Sequence, residues 1–259
     1  MLVIADNLNT RNRIYIESVK SKNKETLSGL VKKISHADMI NVQCSLDGSG
    51  DEESLPWVIG IVSKTTDKDI CLDTRNIQAL RNALPLCKKP PLINFISKTE
   101  PENKEGLLQL VADSGASLVI RASRATPPTS LEAKLQIIEE LLEMANAADI
   151  PNERLFADPS LVHIGRGVGQ NHLTNSTECI RILEDLIDPP INTIVWISNV
   201  SVGMQTALRK KVEAAFLLYI SGAGLDAVMV DVLDDNLRKA IYLVKSFKDE
   251  IVFSPADIS

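Results

Sequence analysis

Short apolar runs rich in Val, Ile and Leu recur along the chain, separated by longer stretches of helical periodicity. Candidate strands open near Leu2 (LVIA), Asp38 (DMINV), Ile70 (ICLD), Leu92 (LINF), Ser117 (SLVIR), Leu155 (LFAD), Thr193 (TIVWI) and Asp226 (DAVMV), at intervals of 36, 32, 22, 25, 38, 38 and 33 residues. The runs are nearly continuous and do not alternate, as expected of parallel strands buried on both faces. Between them, patterns such as Leu131, Leu135, Ile137, Ile138, Leu141 and Leu142 line one helical face, with Glu132, Lys134, Glu139 and Glu140 assigned to the other. Helix starts need side-chain acceptors, and two candidates stand out: Thr129-Ser130 before Leu131, and Ser176-Thr177-Glu178 before Cys179.

Eight strand–helix units, with no Pro/Gly/Ser linker and no charge block between them, predict an α/β fold: a (β/α)8 TIM barrel spanning 1–259 as a single domain. An open doubly wound sheet would carry a glycine fingerprint after its first strand. Here that strand ends in Ala5-Asp6-Asn7-Leu8-Asn9, without a glycine.

Composition narrows the partners. The 259 residues hold 28 Lys and Arg against 34 Asp and Glu, a net charge of −6, which argues against affinity won by neutralising nucleic-acid phosphates. An aromatic fraction of 4% argues against base-stacking platforms. The first residues reach Asp6 before a signal-like apolar core forms, and no run approaches the roughly 18 apolar residues of a membrane helix, so a cytoplasmic protein is expected. Cys44, Cys71, Cys87 and Cys179 form no C-x-x-C pair and read as reduced structural thiols.

A barrel builds its site from the C-terminal ends of its strands. Six of the runs end in Asp, Asn or Ser: Asp6, Asn7 and Asn9, then Asn41, Asp73, Asn94, Asp158 and Ser198-Asn199. One such residue is ordinarily an Asx turn or helix cap. A ring of them needs a ligand or a network, because burying them unpaired costs several kcal/mol. Mixed Asp and Asn suit a flat heterocycle with alternating N–H donors and acceptors, as on the edge of a pterin. His36, His163 and His172 form no H-E-x-x-H and lie far from any cysteine pair, so no metal site is expected. Gly165-Arg166-Gly167-Val168-Gly169 lacks the Lys-Ser/Thr of a phosphate loop and reads as a flexible loop, with Arg166 a contact for an anionic tail. Arg121 and Arg124 fit a solvated charge and a carboxylate clamp equally well.

Several stretches carry a family resemblance: Cys71-Leu72-Asp73-Thr74-Arg75-Asn76-Ile77, Ile93-Asn94, Asp158-Pro159, Ile197-Ser198-Asn199-Val200-Ser201 and Gly224-Leu225-Asp226-Ala227. Over essentially its whole length the chain resembles the methyltetrahydrofolate:corrinoid/iron–sulfur protein methyltransferases of the pterin-binding barrel family. The resemblance implies that Asp73, Asn94 and Asp158 hydrogen-bond the pterin ring, while Asn199 lies beside N5 as the catalytic residue. It implies 5-methyltetrahydrofolate as substrate, and transfer of its N5-methyl to the cobalt of a corrinoid (cobalamin) carried by a separate corrinoid iron–sulfur protein. It also implies a homodimer. No corrinoid-binding D-x-H-x-x-G occurs.

Some positions depart from the family pattern. The usual Gly-Glu-Arg-Ile-Asn motif reads Ala5-Asp6-Asn7-Leu8-Asn9, the usual Asp two before Asn41 is Met39, a Gln after Ser201 is Val202, and an Asn-Lys-Thr-Gly stretch is Arg124-Ala125-Thr126-Pro127. Met39 and Val202 motivate an alternative, a non-catalytic pterin-binding or corrinoid-protein docking homologue. A dihydropteroate synthase would need another first loop, a basic pyrophosphate site and a late Lys/Arg-His ending, none of which is found.

Overall fold

The apolar runs are strands. The computed structural model describes residues 1–165 and 171–258. Strands β1 (Leu2–Leu8), β2 (Met39–Val42), β3 (Asp69–Asp73), β4 (Leu92–Ile96), β5 (Ser117–Arg121), β6 (Leu155–Asp158), β7 (Asn192–Trp196) and β8 (Ala227–Val230) pair in parallel, in chain order, into a closed barrel. Closure runs through Leu2↔Ala227 to Ala5↔Val230. Two helices, α1 (Arg13–Lys20) and α2 (Lys24–Ile34), follow β1. Then α3 (Asp51–Thr65), α4 (Ile77–Ala83), α5 (Lys104–Ser114), α6 (Leu131–Ala147), α7 (Asn171–Leu186), α8 (Thr206–Ser221) and α9 (Asp235–Phe247) follow the later strands in turn. The fold is a (β/α)8 TIM barrel.

Two predicted strands begin one residue late for a shared reason. Asp38 and Asp226 stand outside β2 and β8, where their carboxylates accept the backbone N–H of Val3 at 2.9 Å and of Thr193 at 2.8 Å on neighbouring strands. Inside the barrel Ile4, Met39, Leu92, Val119, Ile194 and Met229 pack into a core of their own, separate from the larger core between strands and helices. Met39 is thus a filler of the barrel interior, level with Ile4 in the β1–β2 register.

Helix starts follow the capping rule at Asn12, Asn23, Asn76, Asn103, Ser130 and Asp234, whose side chains accept from the first turn. Gly115 ends α5 at φ +69°, a left-handed conformation costly for any residue with a Cβ. The start expected at Ser176 is not one. α7 begins at Asn171, and the Ser176 and Thr177 hydroxyls donate back to the His172 and Leu173 carbonyls at 3.0 Å each. A hydroxyl that caps one helix bonds the preceding turn in another. Lys134 likewise leaves the charged face: it is 0% exposed, on the same side of α6 as Ile138, Leu141 and Ala145.

All four cysteines are free, with Cys71 and Cys179 buried and Cys44 and Cys87 half-buried. No helix among the described residues is long and apolar enough to cross a membrane.

Candidate functional site

Parallel strands deliver their C-terminal residues to one end of the barrel. There Asp6 from β1, Asp73 from β3 and Asn94 from β4 meet Asn199, carried by a short 3-10 turn, Ile197–Ser201, that follows β7. These four line one cavity of about 380 Å³, with Phe95, Trp196 and Arg121 among its walls. Three of the four residues expected to form the site are therefore together.

A hydrogen-bonded chain fixes the carboxylates. Thr10 Oγ1 donates to Gln43 Oε1 at 3.1 Å, and Gln43 Nε2 donates to Asp73 Oδ2 at 2.9 Å. Asn41 Nδ2 donates to Asp6 Oδ1 at 3.0 Å and Arg11 Nη2 to Asp6 Oδ2 at 2.7 Å. Burial pushes Asp73 up to about 7, against the pull of the Arg121 charge and with a further push from Asp6; the amides of Asn41 and Asn94 draw it down. Burial also raises Asp6 above the usual carboxylate range, against the Arg11 charge. Two carboxyls in one low-dielectric mouth resist simultaneous ionisation. Asn94, 2% exposed, keeps a carbonyl oxygen with no partner among the described residues, as does Asn41. A buried acceptor of this kind is unusual and has an obvious use against a ligand N–H.

The fourth expected residue sits apart. Asp158 is 1% exposed and lines neither this cavity nor its neighbour. Its register partner Arg121 covers it, Nε donating to Oδ2 at 2.7 Å, and Ser160 N donates to Oδ1 at 2.7 Å. Arg121 is therefore neither a solvated charge nor a free clamp. Below, Lys134 Nζ donates to the Pro159 carbonyl at 2.6 Å and to that of Ser160 at 3.2 Å, holding Ser160 at φ +58°. Burial lowers Lys134 to about 8.

Asn199 is half-buried, and its turn is pinned from beneath by Ser201, whose hydroxyl donates to the buried Glu213 carboxylate. Asn199, Arg75, Phe95 and Arg121 also border a second cavity of about 370 Å³, which reaches Arg124, His163 and Val202. Val202 is 46% exposed. The remaining strand-end polars make local bonds: Asn7 Nδ2 donates to Asp231 Oδ1 at 2.6 Å, and Asn9 Oδ1 accepts from Arg11 N at 2.8 Å. Ser198 Oγ accepts from Arg11 Nη1 at 3.0 Å. Arg166 lies outside the described residues. Among the described residues no cluster of His, Cys, Asp or Glu has the makings of a metal site.

Sequence reasoning passed over the aromatic walls and Gln43. Phe95 directly follows Asn94 and Trp196 shortly precedes Asn199, so adjacency to the polar strand ends was the available signal. Gln43 follows β2 by one residue and carried the same one.

Comparison with known proteins bears on this site. Residues 40–231 match the family model described as pterin binding enzyme. The chain is similar to a methylcorrinoid:tetrahydrofolate methyltransferase of Eubacterium limosum, 24% identical over 249 residues that cover 93% of this chain and 89% of that protein. A methionine synthase of Mycobacterium leprae is 20% identical over 241 residues, covering 89% of this chain but 20% of that much longer protein. Among solved structures, a Coxiella burnetii dihydropteroate synthase in complex with pteroic acid superposes with a TM-score of 0.68 at 12% identity, covering 96% of this chain and 94% of that one. A Xanthomonas albilineans dihydropteroate synthase with 4-aminobenzoic acid gives 0.69 at 16% identity, covering 98% and 94%. At such identities these two share the fold. Matched over most of its length by the family model, and carrying its polar residues at the mouth of the same barrel, the chain belongs to the pterin binding enzymes.

Proposed function

We propose that the chain is a methyltransferase moving a methyl group between N5 of tetrahydrofolate and the cobalt of a corrinoid held by a separate protein. The observation that carries this is the convergence of Asp73, Asn94 and Asn199 on one aromatic-walled cavity, where the Asn94 carbonyl lacks a partner among the described residues. The name of the Eubacterium limosum relative supports the same pair of reactants, with methylcorrinoid as donor. The family resemblance supports 5-methyltetrahydrofolate as donor to a corrinoid iron–sulfur protein. Both directions cross one transition state, so one set of residues serves both.

The pterin ring lies against Phe95 and Trp196. Asn94 Oδ1 and the Asp73 carboxyl meet its polar edge, its 2-amino end points toward Asp158 behind Arg121, and Asn199 stands beside N5. In the folate-to-cobalt direction the bond between the methyl carbon and N5 breaks, its electron pair stays on N5, and N5 gains a proton. In reverse, N5 loses that proton and attacks the methyl carbon. Asn199 has no acidic proton and acts by stabilising charge that changes at N5. Asp73, held at about 7, is suited to exchange the proton near neutrality. The partner's corrinoid supplies the metal that accepts or delivers the methyl group. The second cavity, with Arg75 and Arg124, takes the anionic folate tail.

Calorimetric titration of the wild type with 5-methyltetrahydrofolate tests binding. Transfer of methyl from 5-methyltetrahydrofolate to free cob(I)alamin, and in reverse from methylcobalamin to tetrahydrofolate, tests transfer. Binding with transfer in either direction supports the proposal, and a folded wild type that binds no folate refutes it. Folate binding without transfer to cobalamin or to any corrinoid protein would instead favour the docking homologue, which the exposed Val202 in place of the family's Gln motivates.

A further inference from the structure

The 2-amino end of a pterin is a guanidine built into a ring: a ring N–H and an amino group flank one carbon. Asp158 already holds a guanidine. Arg121 Nε donates to Asp158 Oδ2 at 2.7 Å, with the two side chains 19% and 2% exposed. The guanidinium carbon lies 3.6 Å from the centroid of the Phe95 ring and 4.6 Å from that of Trp196. A flat cation thus stacks on the same aromatic walls that a flat heterocycle would use. The pair is set by the barrel itself, since Arg121 and Asp158 are register partners across β5 and β6. With Arg121 in place, Asp158 borders neither cavity.

We infer that Arg121 is an internal stand-in for the ligand's guanidine-like edge, and through this a specificity-determining residue. The inference rests on the pterin-binding reading above. A ring enters by exchange: it displaces Arg121 from Asp158 and from the aromatic walls. Ser160 N keeps Asp158 Oδ1, so only a ring that returns an N–H donor to Oδ2, with no oxygen opposing the carboxylate, leaves Asp158 paired, because a buried acceptor stripped of its donor is strongly unfavourable. A heterocycle with a 2-oxo group in place of the 2-amino group offers one donor and an opposing oxygen, and is rejected. The exchange also reduces the apparent affinity of every ring by the fraction of molecules in which Arg121 has moved aside.

The test uses the full chain and 6-methylpterin, a ring with no tail. In arginine-detected nitrogen–proton spectra, the Arg121 Nε–H, identified by its loss in Arg121→Met, is expected in the free protein and should vanish at saturation with 6-methylpterin. Calorimetry should show Arg121→Met binding 6-methylpterin about tenfold or more tightly than wild type. Arg121→Gln, which keeps a neutral hydrogen bond to Asp158, should fall between and serves if the methionine variant does not fold. An Nε–H signal that persists at verified saturation overturns the inference and leaves the pterin reading standing, as does equal or weaker binding by both variants. If neither wild type nor a folded variant binds 6-methylpterin, both fall.

Discussion

Asp73 and Asn94 are register partners across β3 and β4, and the pairing turns the Asn94 amide toward the Asp73 carboxyl while leaving the Asn94 carbonyl oxygen without a partner among the described residues. An unsatisfied buried acceptor costs about 1–3 kcal/mol. Asn94→Leu should therefore raise thermal stability by about 1 kcal/mol while weakening folate binding about tenfold or more. Calorimetric denaturation and folate titration on the same sample check the two together. A stability loss would mean that the bond from the Asn94 amide to Asp73 outweighs the cost of the unpaired carbonyl.

Asp73 makes stability depend on pH. Its ordinary value is 3.8 and burial raises it to about 7 in the folded chain. Between these values the folded protein keeps a proton that the unfolded chain has released, so stability falls as pH rises through that window. Asp73→Asn should remove this component. Melting temperatures of wild type and variant, measured from pH 4 to 8, should converge at the acid end and separate in the variant's favour toward neutrality.

Lys134 behaves with the opposite sign. Burial lowers it from 10.5 to about 8, so between those values the unfolded chain holds a proton that the folded one lacks, and stability rises with pH. Lys134→Met should lack that alkaline rise. It should also lose about 2 kcal/mol near neutral pH, because the Pro159 and Ser160 carbonyls lose their donor. Urea denaturation at pH 7 and pH 9.5 measures both effects.

Asn199→Ala should leave folate binding within a few-fold of wild type and slow methyl transfer about 100-fold, the usual effect of removing one group that meets charge developed in the transition state. Single-turnover transfer separates the two. Equal losses in binding and rate would make Asn199 a binding residue only.

The fold was legible because parallel strands buried on both faces must be apolar throughout, and eight such runs announce themselves. The polar strand ends were legible for the same reason, as Asp73 and Asn94 close runs that nothing else interrupts. What escaped depends on neighbours distant in sequence. Asp158 could be placed at a strand end, but only the β5–β6 register reveals Arg121 over it. Lys134 was grouped with the charged residues by its type, although its spacing to Ile138, Leu141 and Ala145 puts it on the buried face. At Ser176 the local chemistry was ambiguous, since its hydroxyl serves a cap or a preceding carbonyl equally well. Met39, a departure from the family pattern, packs inside the barrel.

The chain has two tryptophans, and they report on different places. Trp57, on α3, has its ring centroid 4.8 Å from the Lys22 ammonium, whereas Trp196 forms part of the wall of the mouth cavity beside the Arg121 guanidinium. Indole emission is sensitive to a neighbouring cation and to a stacked absorbing ring. A Trp57→Phe variant is thus an unlabelled optical sensor whose single tryptophan watches the barrel mouth, so that occupancy and its kinetics can be followed in real time by stopped-flow mixing.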